Sequence, residues 1–345
     1  MTRIYLDHAA TSPLRPQALV AVEQGLRLWA NPSSPHAEGR AARAALEDAR
    51  ARLKDLLGWQ GEVIFTSGAS EALAIGLGQA KAQRQIISAV EHDAVLRAAP
   101  GADMLPVVEG EPDLSSELLR DCAGAVVAVQ AINPETGTCL LSPADNPLAA
   151  QVRAGGGLLL ADCSQSAGKA ALPDADMVVI SGHKLGGPVG VGALLVRDYA
   201  MLHPTGGQER GYRGGTENLP GVLGMVAALK AGGLDSWATS AGQRQQFRDA
   251  LARHGAVLSP GVQCGHIFAV THPELSAQAL LIRLDAMGFA VSAGSACSSG
   301  SLKPSRVLKA FGVDDDTARR TIRVSIGWNT TAAELDAFAS AWSSL

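Results

Sequence analysis

The sequence predicts an α/β protein in which a large domain on a mostly parallel sheet is followed by a smaller α+β C-terminal domain. Three observations predict this. Six short runs rich in Val, Ile and Leu recur between residues 63 and 196, mostly without polar alternation, as strands buried on both faces require. Helical stretches lie between several of them, the order that parallel strands with crossover helices produce. Past about Gly232 the order of helices and strands changes. A chain of 345 residues, 47% of them hydrophobic, is also more than one core normally holds, so two domains are expected.

The first long element is a helix from His36 to Leu57, rich in Ala, Glu and Arg and stopped by Gly58. The strands of the large domain are expected at Val63–Thr66, Ile86–Val90, Ala125–Gln130, Leu158–Ala161, Met177–Ile180 and Ala193–Val196. Many glycines directly follow such runs, which marks turns at the ends of buried strands. Beyond them, helices at Leu234–His254, Ser276–Met287 and Pro304–Phe311 interleave with strands at Ile267–Val270, Phe289–Ser292 and Ile322–Ile326. The last helix opens at Thr331, with Glu334 three residues on as a capping box. The large domain is set at residues 15–232, and the small domain at 1–14 together with 233–345.

Composition excludes several function classes. The formal net charge is -4 and no basic run stands out, so neither nucleic acid nor a membrane surface is an expected partner. No apolar stretch approaches the roughly 20 residues that span a bilayer. The opening MTRIYLDHAA lacks the charged leader and apolar core of a signal peptide, so a cytoplasmic location is expected. The five cysteines, Cys122, Cys139, Cys163, Cys264 and Cys297, form no CxxC pair. A zinc knuckle, another metal site or a disulfide framework is therefore not expected, and the thiols are free in a reducing compartment.

Ligands bind open α/β sheets at the carboxyl ends of the strands, and here those ends carry chemistry. After the first run comes Ser67-Gly68-Ala69-Ser70-Glu71, opening a helix, a junction that favours a phosphate although it also caps ordinary helices. After the next come Glu91 and His92; then Asn133, Pro134, Glu135 and Gly137; then Asp162, Ser164 and Gln165; then Ser181, Gly182, His183 and Lys184. Neither GxGxxG nor GxxxxGK[ST] is matched, which disfavours a dinucleotide site and a P-loop. Lys184, at the end of a buried strand, either reaches out to solvent or is a desolvated amine able to form a Schiff base. Asp162, at the end of a neighbouring run, favours the second, because pyridoxal phosphate needs both a Lys and an acidic partner for its ring nitrogen. His92 either lies on that ring as an acid/base or caps a helix. Cys297 sits in a run of small residues, Ala293 to Ser301, where a thiol is expected to be exposed and reactive. Cys163, directly after an apolar run, is expected to be buried and inert.

These residues resemble the class V aminotransferase-like group of fold-type I pyridoxal-phosphate enzymes, and within it the NifS/IscS-type cysteine desulfurases. The resemblance is carried by YLDHAAT (5–11), NPSSPH (31–36), FTSGASEA (65–72), EHDAVL (91–96), DCSQSAGK (162–169), SGHKLGGPVGVGAL (181–194), ERGYRGGTEN (209–218), GSACSSGSLKPSRVL (294–308) and IRVSIG (322–327), nearly the whole chain. It implies a pyridoxal 5'-phosphate cofactor bound covalently to Lys184. Asp162 would meet the ring nitrogen and Gln165 the ring hydroxyl. His92 would lie on the ring, and Ala69, Ser70, Ser181 and His183 would hold the phosphate. Thr216 would reach the cofactor phosphate of a second subunit in a homodimer. Arg323 would bind the substrate carboxylate, and Cys297 would accept sulfur from L-cysteine and pass it to an acceptor or scaffold protein, with iron–sulfur cluster assembly as the expected pathway. Selenocysteine lyase, aminotransferase and non-catalytic sulfur-transfer scaffold are the alternatives. The chain departs from the family at Asn133-Pro134, where two Asn are usual and the second contacts cofactor and substrate. Pro134 has no side chain to do so, which leaves Asn133 as the candidate substitute. Ser70 stands where Thr is usual and keeps the hydroxyl.

Overall fold

The computed structural model describes residues 3–294 and 305–345. Strand β1 (Ile4–Tyr5) opens the chain, followed by helices α1 (Pro16–Arg27) and α2 (Ala37–Leu57). Then come β2 (Glu62–Thr66), α3 (Ala69–Gly78), β3 (Arg84–Ser88), α4 (Asp93–Ala98) and β4 (Asp103–Leu105). A hairpin of β5 (Val107–Val108) and β6 (Glu111–Pro112) and a short α5 (Glu117–Arg120) lead to β7 (Ala125–Gln130), α6 (Pro147–Ala154), β8 (Leu158–Asp162), β9 (Met177–Ser181) and β10 (Gly192–Val196). Helices α7 (Leu219–Lys230) and α8 (Ala241–Ala252) precede β11 (Ala256–Leu258), β12 (Ile267–Thr271), α9 (Ala277–Ala286) and β13 (Phe289–Ala290). The described chain closes with α10 (Arg306–Ala310), α11 (Asp315–Arg319), β14 (Thr321–Ser325) and α12 (Ala332–Ser343).

Seven strands form the central sheet in the order β2-β10-β9-β8-β7-β3-β4. Only β10 runs against its neighbours; the remaining ladders are parallel. The apolar runs are buried on both faces because each face is covered. Val127 and Val129 point into a core shared with α2, α6 and α7, whereas Val126 and Ala128 join a second core beneath α3 and α4. That is the period-2 alternation of a strand between two helical layers.

The small sheet has the order β11-β12-β14 and is antiparallel. Its own core gathers Phe268, Val270, Val324, Phe338 and Trp342, and Leu6 from the N-terminal segment joins them. That segment crosses from one body to the other. Its β1 pairs in parallel with β13, Asp7 bridges to Ser325, and Ser12 N–H donates to the His183 carbonyl at 2.8 Å.

The mostly parallel sheet matches the expected class, with shifts at element ends. The expected Ile86–Val90 strand stops at Ser88, because the chain turns there and Ser88 Oγ accepts the Val90 N–H. The expected Leu234–His254 helix shortens to Ala241–Ala252, since Ser240 and Gln243 form a capping box that fixes its start. The helix beginning after Thr331 carries its capping box with Glu334.

Candidate active site

A cavity of about 600 Å³ opens at the carboxyl ends of β2, β3, β8 and β9. The small body closes one side of it with Ser292, Gly294 and Arg323, and the N-terminal segment contributes Ala9 and Ala10. The site residues expected from the sequence and its resemblance largely converge here: Ala69, Ser70, His92, Asp162, Ser181, His183, Lys184 and Arg323 all line it.

One corner is built for an anion. Ser67 to Ser70 pass from β2 into the ten-residue helix α3, with Gly68 at a φ of 150° that disfavours any side chain. The first-turn N–H groups have no partner inside the helix, and the helix dipole places partial positive charge at them. Ser181 and His183 come to the same cavity from the end of β9. Glu71 braces the corner: its carboxylate accepts the Ser67 N–H and pairs with Arg213 at 3.1 Å. Against the upward push of burial, these partners hold the Glu71 carboxyl below its usual range.

Lys184 closes a short turn at Gly182–Lys184 directly after β9. Burial lowers its ammonium below the ordinary lysine value; Asp162 pulls the other way, and Arg323 adds to the lowering. Its Nζ makes no hydrogen bond among the described residues, so the amine is both free and partly deprotonated-prone. Asp162 ends β8. Its Oδ1 accepts the Ser164 N–H at 2.9 Å and the Ser164 hydroxyl at 2.5 Å, which leaves Oδ2 without a protein partner among the described residues. His92 does both things the sequence left open: Nδ1 caps α4 by accepting the Ala94 N–H at 3.2 Å, and the ring lines the cavity. Burial and then Lys184 lower its pKa, which favours the neutral ring. His183 is lowered by the same two causes, and its Nδ1 meets Thr11 Oγ1 at 3.1 Å.

Three expected residues lie outside this wall. Asn133 is fully buried and turned inward. Its Oδ1 accepts from Glu135 N–H, Thr136 N–H and Thr136 Oγ1, and its Nδ2 donates to the Val90 carbonyl, so its oxygen is taken up by its own turn and one of its two amide N–H groups is engaged. Gln165 is buried behind the wall, its Nε2 donating to the Ala9 carbonyl at 2.8 Å and its Oε1 unpaired among the described residues. Thr216 is exposed on the segment after η-turn residues Glu209–Gly211 and does not reach this cavity. Cys297 lies outside the described residues. The four cysteines that are described all have thiols raised by burial, Cys139 and Cys163 to about 12.

Two carboxyls here had no role assigned from the sequence. Glu135 lines the cavity and accepts from Ser305 Oγ at 2.6 Å, with burial raising its pKa. Asp7 pairs with Arg323 at 2.7 Å. Asp7 sits in YLDHAAT (5–11), one of the stretches that carried the resemblance, and Glu135 follows the Ala125–Gln130 run, so both were in view without a role.

The residues fit pyridoxal phosphate on observations of this chain alone: a Lys with a lowered pKa and a carboxylate oxygen, both without a partner among the described residues, an imidazole whose pKa is lowered, and a helix start with hydroxyls, around one cavity of suitable size. The comparisons agree. The family model for aminotransferase class-V matches residues 4–338. A cysteine desulfurase of Cereibacter sphaeroides is 36% identical over 97% of this chain and 94% of its own length. Among solved structures, a NifS-like protein superposes with a TM-score of 0.87 at 27% identity, covering 99% of both chains. A structure described as SspA in complex with cysteine superposes with a TM-score of 0.79 at 26% identity, over 96% of this chain and 100% of that one.

Proposed function

From the premise that this chain belongs to the aminotransferase class-V family, as an enzyme that desulfurates cysteine with pyridoxal phosphate, we propose the following roles for its residues. Lys184 holds the cofactor and, once released by substrate, moves the α-proton. Asp162 offers its open Oδ2 to the ring nitrogen. His92 lies against the ring as a neutral imidazole, and Gln165 approaches the ring hydroxyl from behind the wall. Ala69, Ser70, Ser181 and His183 bind the phosphate, with Thr216 reaching the site of a second subunit. Arg323 takes the carboxylate of L-cysteine. Asn133 is left out of this set because it does not line the cavity and its Oδ1 is taken up by its own turn. The cofactor, when bound, supplies an electron sink that stabilises negative charge on the substrate's carbon. The observation that carries the reading is the convergence of Lys184, Asp162 and Arg323 on one cavity.

Cys297 is the proposed sulfur acceptor. Its thiolate attacks the substrate sulfur, an S–S bond forms, and the C–S bond breaks. The electron pair stays with carbon, which gains a proton to give alanine, while Cys297 keeps the sulfur as a persulfide. The raised thiols of Cys122, Cys139, Cys163 and Cys264 support this choice, since a protonated buried thiol is a poor nucleophile. The persulfide then passes to an acceptor or scaffold protein, with iron–sulfur cluster assembly as the proposed pathway and the cytoplasm as the location. No helix among the described residues is long and apolar enough to cross a membrane.

A homodimer is proposed as the working form. Leu19, Val20, Leu26 and Trp29, in or just after α1, are exposed, Trp29 by 78%. Such a patch supports burial against another chain.

The deciding experiment follows sulfide and alanine release from L-cysteine with a reductant, for wild type and Cys297→Ser. Equal amounts of both products from wild type and at least a hundredfold loss in a normally coloured variant are expected. A variant that releases sulfide at the wild-type rate removes Cys297 from the chemistry and moves the reading toward a lyase.

A further inference from the structure

Arg323 is the cation this cavity offers to an α-amino acid, and it is already engaged. Nη2 lies 2.7 Å from Asp7 Oδ1, and Nη1 donates to the Pro134 carbonyl at 3.0 Å. Nε is buried without a partner among the described residues. A guanidinium has five N–H bonds. Asp7 and Pro134 take one each and the Nε–H is sealed in, so a single N–H remains on each terminal nitrogen. Asp7 is itself fixed, because Tyr5 Oη donates to its carbonyl at 3.0 Å and residue 7 bridges to Ser325 beside Arg323 on β14. It stands outside the cavity wall and reaches the site only through Arg323.

We infer that Asp7 is a positioning residue that sets the affinity of this site for carboxylates, an inference that rests on Arg323 being the carboxylate site proposed above. The Arg323–Asp7 pair is neutral as a unit. An incoming carboxylate is attracted by the guanidinium and repelled by the fixed carboxylate behind it, at a separation where charges in a partly buried site still feel each other. Cysteine and alanine carry the same α-carboxylate. An unopposed Arg323 would grip the product as firmly as the substrate, whereas Asp7 weakens the hold on both and lets alanine leave. Asp7 also orients the guanidinium before substrate arrives, so its charge and its acceptor oxygen have separable effects. Asn at this position keeps the oxygen and removes the charge.

The test uses the cofactor-loaded enzyme and three small molecules: L-cysteine, L-alanine, and 2-aminoethanethiol, which lacks the carboxylate. In Asp7→Asn, the KM for cysteine and the dissociation constant of alanine, read by calorimetric titration, are expected to fall together by roughly 3- to 10-fold. Binding of 2-aminoethanethiol stays as in wild type, and kcat does not rise. Asp7→Glu restores the charge and brings the constants back toward wild type. If Asp7→Asn does not fold, Asp7→Ser removes the same charge with an acceptor retained and is expected to shift in the same direction. Alanine binding that is unchanged or weaker in the charge-free variants, or an equal shift for 2-aminoethanethiol, overturns the inference. Arg323→Gln separates this from the underlying reading: if it weakens cysteine and 2-aminoethanethiol alike, the carboxylate role of Arg323 fails, whatever Asp7→Asn does.

Discussion

Lys184 shows how a single position combines legible and hidden information. Its place after an apolar run was readable, and so was the acidic partner 22 residues earlier, because both follow from strand ends meeting at one edge. Burial, the largest cause of its lowered pKa, was readable from the strand end; the smaller push from Arg323 was not, since it arrives from a strand 139 positions later. The sign of the effect is definite. A lowered lysine loses its proton at lower pH, so more of the nucleophilic amine is present near neutrality. The rate at which cofactor-free protein captures pyridoxal phosphate should therefore rise with pH through a midpoint below the ordinary lysine value of about 10.4. Stopped-flow absorbance at several pH values measures it; a midpoint at or above that value would sink the desolvation argument. Asn133 teaches the reverse lesson. Asn followed by Pro-Glu-Thr-Gly is a turn-forming pattern. The Asn amide was thus already committed to its own backbone, a local signal that a motif comparison does not display.

At the scale of elements, the strands were easy to find and the helices less so. Buried parallel strands announce themselves as uninterrupted apolar runs, but α7 is apolar nearly all round and packed against α1 and α2, so it offers no amphipathic stripe to recognise. The segment after β10 was equally opaque. It is held by a buried ion pair: Glu209 accepts from both terminal nitrogens of Arg50 at 2.8 and 2.9 Å, and from the Phe65 N–H at 2.8 Å. Glu209 and Arg210 adopt positive φ values of 48° and 57°, conformations that non-glycine residues hold only when their surroundings impose them. The pair joins α2, the start of the site-bearing strand β2, and the segment leading to Thr216. Arg50→Met should leave a buried carboxylate uncompensated and destabilise the fold by about 3–5 kcal/mol. Urea unfolding measures the loss; a change below about 1 kcal/mol would mean that Glu209 finds water instead.

For the whole molecule, the α/β class was legible because it follows from element order. The side proposed for a second chain was not, since an exposed leucine looks like any other in a sequence. With Leu26 exposed by 63% and Trp29 by 78%, charges placed in that patch should break the assembly without touching either core. Leu26→Asp with Trp29→Arg is expected to convert a dimer to a monomer in light scattering, with cofactor retention reduced because Thr216 no longer reaches a neighbour. A double variant that stays dimeric moves the interface elsewhere. The N-terminal segment has a further consequence, one of timing. β1 pairs with β13, and Asp7 meets Arg323 across a sequence separation of 316 residues. During synthesis Asp7 must wait for a residue 316 positions later before it finds its partner. The wall formed by Ala9, Ala10 and Arg323 is thus assembled only after the ribosome has released most of the chain, and contacts of such long range form slowly. Until that wall forms, the strand ends that carry Lys184 and Asp162 stand open to water.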